Sequence, residues 1–141
     1  MTRTVRWRLH TSSPPDKIYR FWTTDDGRER FWAEQSRSQD KSIALTFPDG
    51  AKEECRVLET QPQALFRFTY FGSEVTVQLD DDGHGGTDLT LTNRGVPEPE
   101  YEEVHAGWLN VLLPLKAAAD FEVDLRNHDR SRTWKNGYVD Q

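Results

Sequence analysis

Large aromatic side chains alternate in one stretch of the chain in a way that could build the wall of an apolar cleft. Phe66, Phe68 and Tyr70 occupy every second position, and a period of two places them on one face of a strand. Apolar walls with few polar groups suit a small lipophilic molecule. We therefore expect a binding cleft between a sheet and a helix. Its expected lining residues are Trp22, Phe47, Phe66, Phe68, Tyr70, Val77, His105, Trp108 and Leu112.

The same aromatic stripe is equally typical of an ordinary hydrophobic core. Leaving a cavity empty costs about 24 cal/mol per Å³, so a dry void of ~300 Å³ would cost ~7 kcal/mol. A whole domain is stable by only about 5–15 kcal/mol. We therefore expect the space between sheet and helix to be filled by rings, by water or by a ligand.

His105 is the candidate for proton transfer in the expected cleft. It shares a helix face with Tyr101 and Trp108, and a neutral imidazole can act as a general base. No serine, cysteine or carboxylate is evidently placed as its partner. We therefore expect no catalytic residue and a non-catalytic binding function.

Two other features could suggest metal binding or a reactive thiol. Asp80, Asp81 and Asp82 are adjacent, which does not match the alternating ligands of a calcium loop and predicts a solvated hairpin turn. Cys55 lies in a strand-like segment and is predicted to be a small buried apolar residue. We expect no metal site and no cofactor.

A long amphipathic helix near the C-terminus must carry one wall of the cleft. Tyr101, Val104, Trp108, Leu112 and further apolar residues recur at gaps of three and four between residues 97 and 127, which predicts one buried helical face. Pro114 lies within this helix and cannot donate a backbone hydrogen bond there, so a bend is expected.

The strand-like segments all precede this helix. Val5, Trp7 and Leu9 predict a first strand, and Ser13 predicts the cap of a short helix before Pro14. Residues 25–27 should end that helix, and a second short helix should carry Phe31 and Trp32. Short turns between the later strands predict an antiparallel meander. The fold class is therefore α+β, with a curved sheet across which the long helix lies.

The composition limits the classes of partner and the compartment. The 141-residue chain carries a net charge of −6, which disfavours nucleic acid and anionic membranes. No apolar stretch is long enough to span a membrane, and the N-terminus lacks the apolar core of a signal peptide. With a single cysteine, no internal disulfide forms, and we expect a cytoplasmic protein.

A series of short motifs follows the order and spacing of one known fold. These motifs are Pro14-Pro15 before Ile18 and Trp22, Phe31-Trp32, Pro48-Asp49-Gly50, Gln61-Pro62, Val75-Thr76-Val77, Gly85-Gly86-Thr87 and His105-Ala106-Gly107-Trp108. Together they resemble the START-related helix-grip superfamily, and specifically its branch similar to the C-terminal domain of the Hsp90 ATPase activator Aha1. The resemblance implies a six- or seven-stranded antiparallel sheet gripping the long helix, often around an apolar cavity.

Function varies within this superfamily, so the resemblance leaves alternatives open. The reading that we favour is binding of a small hydrophobic molecule. A protein-interaction domain related to chaperone regulation is the alternative, and a cyclase-type enzyme is the second alternative.

The last residues of the chain lie beyond the apolar helix stripe. We expect residues 1–127 to form the helix-grip domain, with residues 128–141 as a tail. Trp134 and Tyr138 lie in this tail, and disordered segments are poor in aromatic residues. The tail is therefore expected to pack on the body or on a second subunit, which leaves a homodimer possible.

Overall fold

One antiparallel sheet of seven strands forms the body in the computed structural model, which describes residues 1–141. The strands are β1 (Thr2–Thr11), β2 (Gln35–Gln39), β3 (Ser42–Thr46), β4 (Lys52–Gln61), β5 (Leu65–Tyr70), β6 (Ser73–Asp81) and β7 (Thr87–Pro97). Their order in the sheet is β1-β7-β6-β5-β4-β3-β2, so the first strand pairs with the last. This confirms the predicted α+β class and the meander.

The predicted long helix, α3 (Tyr101–Phe121), packs mainly against β1 and runs through Pro114 as a continuous helix. Trp108, Leu112 and Leu115 are buried beneath it. They belong to a core of 23 buried apolar residues, to which the alternating inward positions of the sheet contribute, including Phe66, Phe68 and Val77. The strand residues that repeat every two positions and the helix residues that repeat every three or four positions therefore pack into one core.

The two short helices differ from the prediction at their ends. The first, α1 (Pro15–Thr23), is followed at once by α2 (Asp25–Glu29), which begins where a break was expected. Thr24 caps α2, because its Oγ accepts the N–H of Gly27 at 3.0 Å. A Cβ at Gly27 would lie 2.6 Å from the Cα of Phe21, so a glycine here lets the helices touch. Phe31 and Trp32 follow α2 and do not lie within it.

Ser13 does not cap α1, contrary to the sequence-based prediction. The N-cap is Pro14, which offers no side-chain hydrogen bond. The Oγ of Ser13 instead lies 2.7 Å from Oδ1 of Asp120 and 3.0 Å from the carbonyl of Ala119. Ser13 therefore joins the β1–α1 connection to the C-terminal end of α3, a contact between residues far apart in the sequence.

The edge strand β2 was not expected, because Gln35–Gln39 has no alternating apolar pattern. Two carboxylates from the α2 region accept its backbone N–H groups. Ser36 donates to Oε2 of Glu29 at 2.9 Å, and Ser38 donates to Oδ2 of Asp25 at 3.0 Å. Free edge strands invite pairing with other chains, and these two bonds occupy donors that such pairing would use.

Candidate binding cleft and its cover

A continuous group of aromatic rings, here called the aromatic cluster, fills the space between α1, α2, α3 and the middle of the sheet. Trp32 lies near its centre, with ring centroids 5.5 Å from both Phe68 and Tyr70 and 6.2 Å from Trp108. The other rings of the cluster pack against one another through similar ring-to-ring contacts. The members are Phe21, Trp22, Phe31, Trp32, Phe47, Phe66, Phe68, Tyr70, Phe71 and Trp108.

Most of the residues proposed from sequence to line a cleft lie in or beside this cluster. Val77 and Leu112 are buried in the same core. The structure does not bring His105 into ring contact with the cluster. The His105 ring stacks on Trp7 at 4.4 Å and on Tyr101 at 5.5 Å, and its carbonyl accepts the indole N–H of Trp7. The members named in both sets are Trp22, Phe47, Phe66, Phe68, Tyr70 and Trp108.

Trp32 is the central residue that the predicted lining omitted. It follows α2 in an irregular turn, where neither the strand nor the helix period assigns a side chain to a face. The adjacent pair Phe31-Trp32 was a usable signal, because two large aromatic residues together in a polar neighbourhood indicate local burial. Trp32 is 5% exposed.

The three indole N–H groups of the cluster have different surroundings. Trp108 donates to Oδ1 of Asn93 at 3.0 Å. Nε1 of Trp22 is buried without a hydrogen-bond partner, whereas Nε1 of Trp32 faces the Tyr70 phenol and lowers the pKa of that group against the effect of burial. Buried donors are almost always paired, and leaving one unpaired costs about 1–3 kcal/mol. The cluster therefore holds one clearly unused donor, that of Trp22, in an apolar setting.

The ionisable groups near the cluster are held neutral or are already paired. Burial raises the pKa of the Tyr70 phenol, which stays protonated at neutral pH. Burial also raises the pKa of the Cys55 thiol to about 12, so this side chain is a buried thiol. The charged group near Tyr70 is Glu53, whose carboxylate accepts the backbone N–H of Phe71.

Arg28 is a fully buried cation behind the cluster. Its Nη1 donates to the carbonyl of Trp22 at 2.8 Å, and its Nη2 donates to Oδ1 of Asp25 at 2.8 Å. The Oγ of Ser36 accepts a bond from Nε, and the Oγ of Ser38 accepts a second bond from Nη2. The guanidinium is thus committed to this network and supplies no positive charge to the aromatic cluster.

The C-terminal segment, residues 123–141, follows α3 and folds back onto the body; we call it the tail cover. Arg126 is buried in it, and donates to the carbonyls of Ala33 at 3.1 Å and Glu29 at 2.6 Å. Farther on, Lys135 approaches Asp49 in the β3–β4 turn at 3.6 Å. The segment therefore reaches both the α2–β2 connection and the β3–β4 turn.

The end of the tail cover returns to α3. Nε1 of Trp134 donates to Glu103 at 3.2 Å, and the Asn110 side chain donates to the carbonyl of Gln141 at 2.8 Å. Tyr138 is 42% exposed. Polar bonds, together with the half-buried ring of Trp134, hold this segment on the body.

His128 provides a further ionic contact of the tail cover. Its Nδ1 lies 2.5 Å from Glu34 and its Nε2 lies 2.6 Å from Asp124. Burial lowers the pKa of this imidazole, but the bonds to the two carboxylates outweigh burial, and the pKa is raised. Protonation of His128 therefore strengthens the contact between the tail cover and the body.

An open surface depression lies away from the aromatic cluster. It is an open hollow of about 750 Å³ at the β2–β3 edge, and its lining includes Asp25, Glu29, Ser36 and Glu54. The polar groups of Asp25, Glu29 and Ser36 bond to one another or to their neighbours. The rings of the aromatic cluster pack against one another, and the residues that line this hollow are not among them.

The aspartates of the β6–β7 hairpin shape their own turn. Oδ1 of Asp82 accepts the backbone N–H groups of His84 at 2.7 Å and Gly86 at 2.9 Å, and its Oδ2 lies 2.8 Å from His10. No cluster of potential ligands in the structure could hold a metal ion. None of the helices is both long and apolar enough to cross a membrane.

Solved structures share this fold at low sequence identity. Protein SSP2350 from Staphylococcus saprophyticus is 19% identical with a TM-score of 0.77, covering 88% of this chain and 96% of its own. The Aha1 dimer from Colwellia psychrerythraea is 22% identical with a TM-score of 0.76, covering 84% and 97%. CalU16 from Micromonospora echinospora is 21% identical with a TM-score of 0.65, covering 79% and 72%.

The sequence itself matches a family model over most of the fold. None of the curated proteins matches the chain. The model described as activator of Hsp90 ATPase homolog 1-like protein matches residues 12–120, from the end of β1 to the last turn of α3. The chain therefore belongs to the activator of Hsp90 ATPase homolog 1-like family, within the helix-grip fold.

Proposed function

We propose that this protein binds a small lipophilic molecule at the aromatic cluster, between the sheet and α3. The observation that carries the proposal is the fully buried indole donor of Trp22, which has no acceptor in the middle of the aromatic cluster. An interior built only for stability would pair or replace such donors. A ligand that lies among the rings supplies both apolar contact and an acceptor.

The tail cover is the proposed entrance to this site. It is held by discrete polar bonds, and several of its apolar side chains are about half exposed or more, including Val123, Leu125 and Val139. Segments with little apolar burial open at low free-energy cost. By contrast, α3 is anchored by Trp108, Leu112 and Leu115 in the core. Opening of the tail cover is therefore the easier route to the rings.

A neutral fluorescent probe tests the proposal. N-phenyl-1-naphthylamine should bind the full chain with a rise in emission and should raise the melting temperature. A chain ending at Glu122 should bind the same probe with a faster association rate, because the entrance is uncovered. Leu113→Ser, on the exposed face of α3, is the matched control and should bind as the unaltered chain does. If neither the full chain nor the chain ending at Glu122 bound the probe, the proposed ligand site would be rejected.

A protein-interaction function is the second candidate, because α3 carries an unpartnered apolar stripe. Leu109, Leu113 and Phe121 are 38%, 50% and 67% exposed. Since one solved relative of the same fold is described as a dimer, the partner that we propose for this stripe is a second copy. Sedimentation equilibrium should then show a dimer that Leu113→Glu dissociates. A monomer at all concentrations would reject this candidate.

A cytoplasmic location is proposed with either function. The buried thiol of Cys55 fits a reducing compartment, where disulfides are rare. Detection of the protein in a membrane or secreted fraction would contradict this location.

A further inference from the structure

We infer that the apolar stripe of α3 packs against the same stripe of a second copy, with the two α3 helices antiparallel about a two-fold axis close to Leu113. This inference rests on the second candidate function, the dimer, and specifies the geometry of its interface.

The first step is the shape of the exposed surface along α3. Leu109, Leu113 and Phe121 are the exposed large residues of this helix, and Ala106 and Ala117 complete their row at gaps of three and four residues. Such gaps place all five side chains along one side of the helix. A row of this kind is the surface that a second helix covers when two helices pack.

The tail cover lies beside this row and does not occupy it. Asn110 donates to the carbonyl of Gln141, and Glu103 accepts the indole N–H of Trp134. With these bonds in place, Leu113 and Phe121 are still half exposed or more. The helix that covers the row must therefore come from another molecule.

The second step is the order of large and small side chains in the row. In an antiparallel pair centred near Leu113, Leu109 of one copy faces Ala117 of the other, and Phe121 faces the position of Ala106. Each large side chain then meets a small one, which fills space as protein interiors do. A parallel pair would place every residue against its own copy, with two rings crowded at Phe121 and a gap at Ala106.

The third step is the charge at the two ends of α3. Four exposed carboxylates lie at its beginning, whereas two lysines lie near its end. Nζ of Lys17 donates to the carbonyl of Ala119 at 2.6 Å, and Nζ of Lys116 lies 3.5 Å from Asp120. The four acidic residues are Glu98, Glu100, Glu102 and Glu103.

This charge pattern favours a second copy in the antiparallel orientation. A parallel pair would bring the acidic ends of both helices together, and like charges repel. An antiparallel pair places the acidic end of each helix beside the lysine-bearing end of the other, and it also opposes the two helix dipoles. The stripe therefore complements itself in both side-chain size and charge.

The size of the contact predicts a weak dimer. The 21 residues of α3 span about 31 Å. A single pair of such helices buries less than about 1,200 Å² in total, which is typical of transient complexes. Disulfide trapping detects such a dimer and reports its geometry.

Cysteine variants of the full chain test the geometry under mild oxidation. Leu113→Cys should give a disulfide-linked dimer, because the two copies of this residue lie at the axis. Phe121→Cys alone should not, because its two copies would be about 24 Å apart, and a disulfide requires Cα atoms within about 7 Å. An equimolar mixture of Ala106→Cys and Phe121→Cys chains should cross-link about tenfold faster than either chain alone.

Two controls set the background of this experiment. The native thiol of Cys55 is buried, so the unaltered chain should not cross-link. Gln78→Cys places a thiol at an exposed position of β6, away from α3, and measures the rate of cross-linking by random collision.

The outcomes distinguish this inference from the dimer itself. Faster cross-linking of Phe121→Cys with itself than with Ala106→Cys would overturn the antiparallel arrangement and leave the dimer standing. A dimer in sedimentation equilibrium whose α3 cysteines cross-link no faster than Gln78→Cys would place the interface elsewhere and overturn the inference. A monomer at all concentrations with only background cross-linking would reject the second candidate function, and the inference with it.

Discussion

The body and the tail cover are held together by different forces. The body is closed by a core of 23 buried apolar residues, whose burial is cooperative and weakly dependent on salt or pH. The tail cover is attached through separate polar anchors, chiefly Arg126, His128 and Trp134. Polar contacts near the surface are weaker and titratable. From this contrast we expect the tail cover to open without unfolding the rest.

Two buried arginines show the same contrast on a smaller scale. Arg28 is fully buried, and side chains supply three of its four acceptors. Arg126 is 7% exposed, and on the body it bonds only to the backbone carbonyls of Glu29 and Ala33. Loss of Arg28 would disturb the packing of α2 and β2, whereas loss of Arg126 would detach a segment.

The largest expected effect is the difference in stability between replacing a tryptophan of the body and replacing a tryptophan of the tail cover. Trp108→Ala should lower the free energy of unfolding by about 3–5 kcal/mol, because it removes a buried ring. Trp134→Ala should lower it by only about 1 kcal/mol, because its ring is only partly buried and its indole bond to Glu103 is exposed. Urea unfolding measures both. Similar losses for the two variants would break the contrast between the regions.

Asp25→Ala should have the next largest effect. It leaves buried Arg28 without its carboxylate and frees the edge donor of Ser38. Removing one partner of a buried pair costs about 3–5 kcal/mol, and the partial exposure of Asp25 reduces this to about 2–3 kcal/mol. Asp26→Ala, one residue along on the exposed side of α2, is the control and should be nearly neutral in urea unfolding.

Asp25 also predicts an acid limit for the body. Burial raises its pKa, but hydrogen bonds from Ser38, Ser36 and Arg28 outweigh burial and lower the pKa to about 2. A lowered pKa means that the stabilisation is present above the unfolded value of about 3.9 and is lost as the pH falls from there towards 2. In Asp25→Ala this part of the acid dependence should be missing.

Arg126→Ala should act on the tail cover alone. It removes the bonds to the two backbone carbonyls and should cost about 1–2 kcal/mol. Hydrogen exchange should speed up in residues 123–141 and stay slow in the sheet. Exposed Arg130, which makes no side-chain bond in the structure, provides the control variant Arg130→Ala. Faster exchange throughout the sheet would show that the tail cover and body unfold together.

The smallest effect concerns His128. Because its pKa is raised, its stabilisation is fully present below the unfolded value of about 6.5 and is lost as the pH rises through the folded pKa. The contact should contribute less than about 1 kcal/mol, since the ring is partly exposed. The groups that face it are Glu34, Asp124 and Arg126.

Melting temperature measured between about pH 6 and pH 9 tests the His128 contact. The unaltered chain should exceed His128→Gln at the acid end, and the difference should vanish at the alkaline end. His84→Gln, at an exposed histidine without side-chain bonds, should track the unaltered chain. A difference in melting temperature that grows with pH would have the opposite sign to the one expected and would contradict a stabilising role for the His128 contact.

The sequence by itself determined the elements whose period is regular. The three- and four-residue spacing of Trp108, Leu112 and Leu115 predicted α3 and its buried face, and the alternation of Phe66, Phe68 and Tyr70 predicted β5 and its orientation. These predictions hold because the side-chain direction within one helix or strand follows from local geometry alone. The order of the short motifs was enough to identify the fold.

Tertiary structure alone decided which faces meet. Whether His105 would border the aromatic cluster or stack on Trp7 depended on where α3 crosses the sheet, and the helix period does not record that position. Strand β2 forms without an apolar pattern because Asp25 and Glu29, from the α2 region, satisfy its edge. The central place of Trp32 arises from ring contacts with Phe68, Tyr70 and Trp108, which are distant in sequence. Such contacts form only when distant parts of the chain come together, and the spacing of residues within one segment does not specify them.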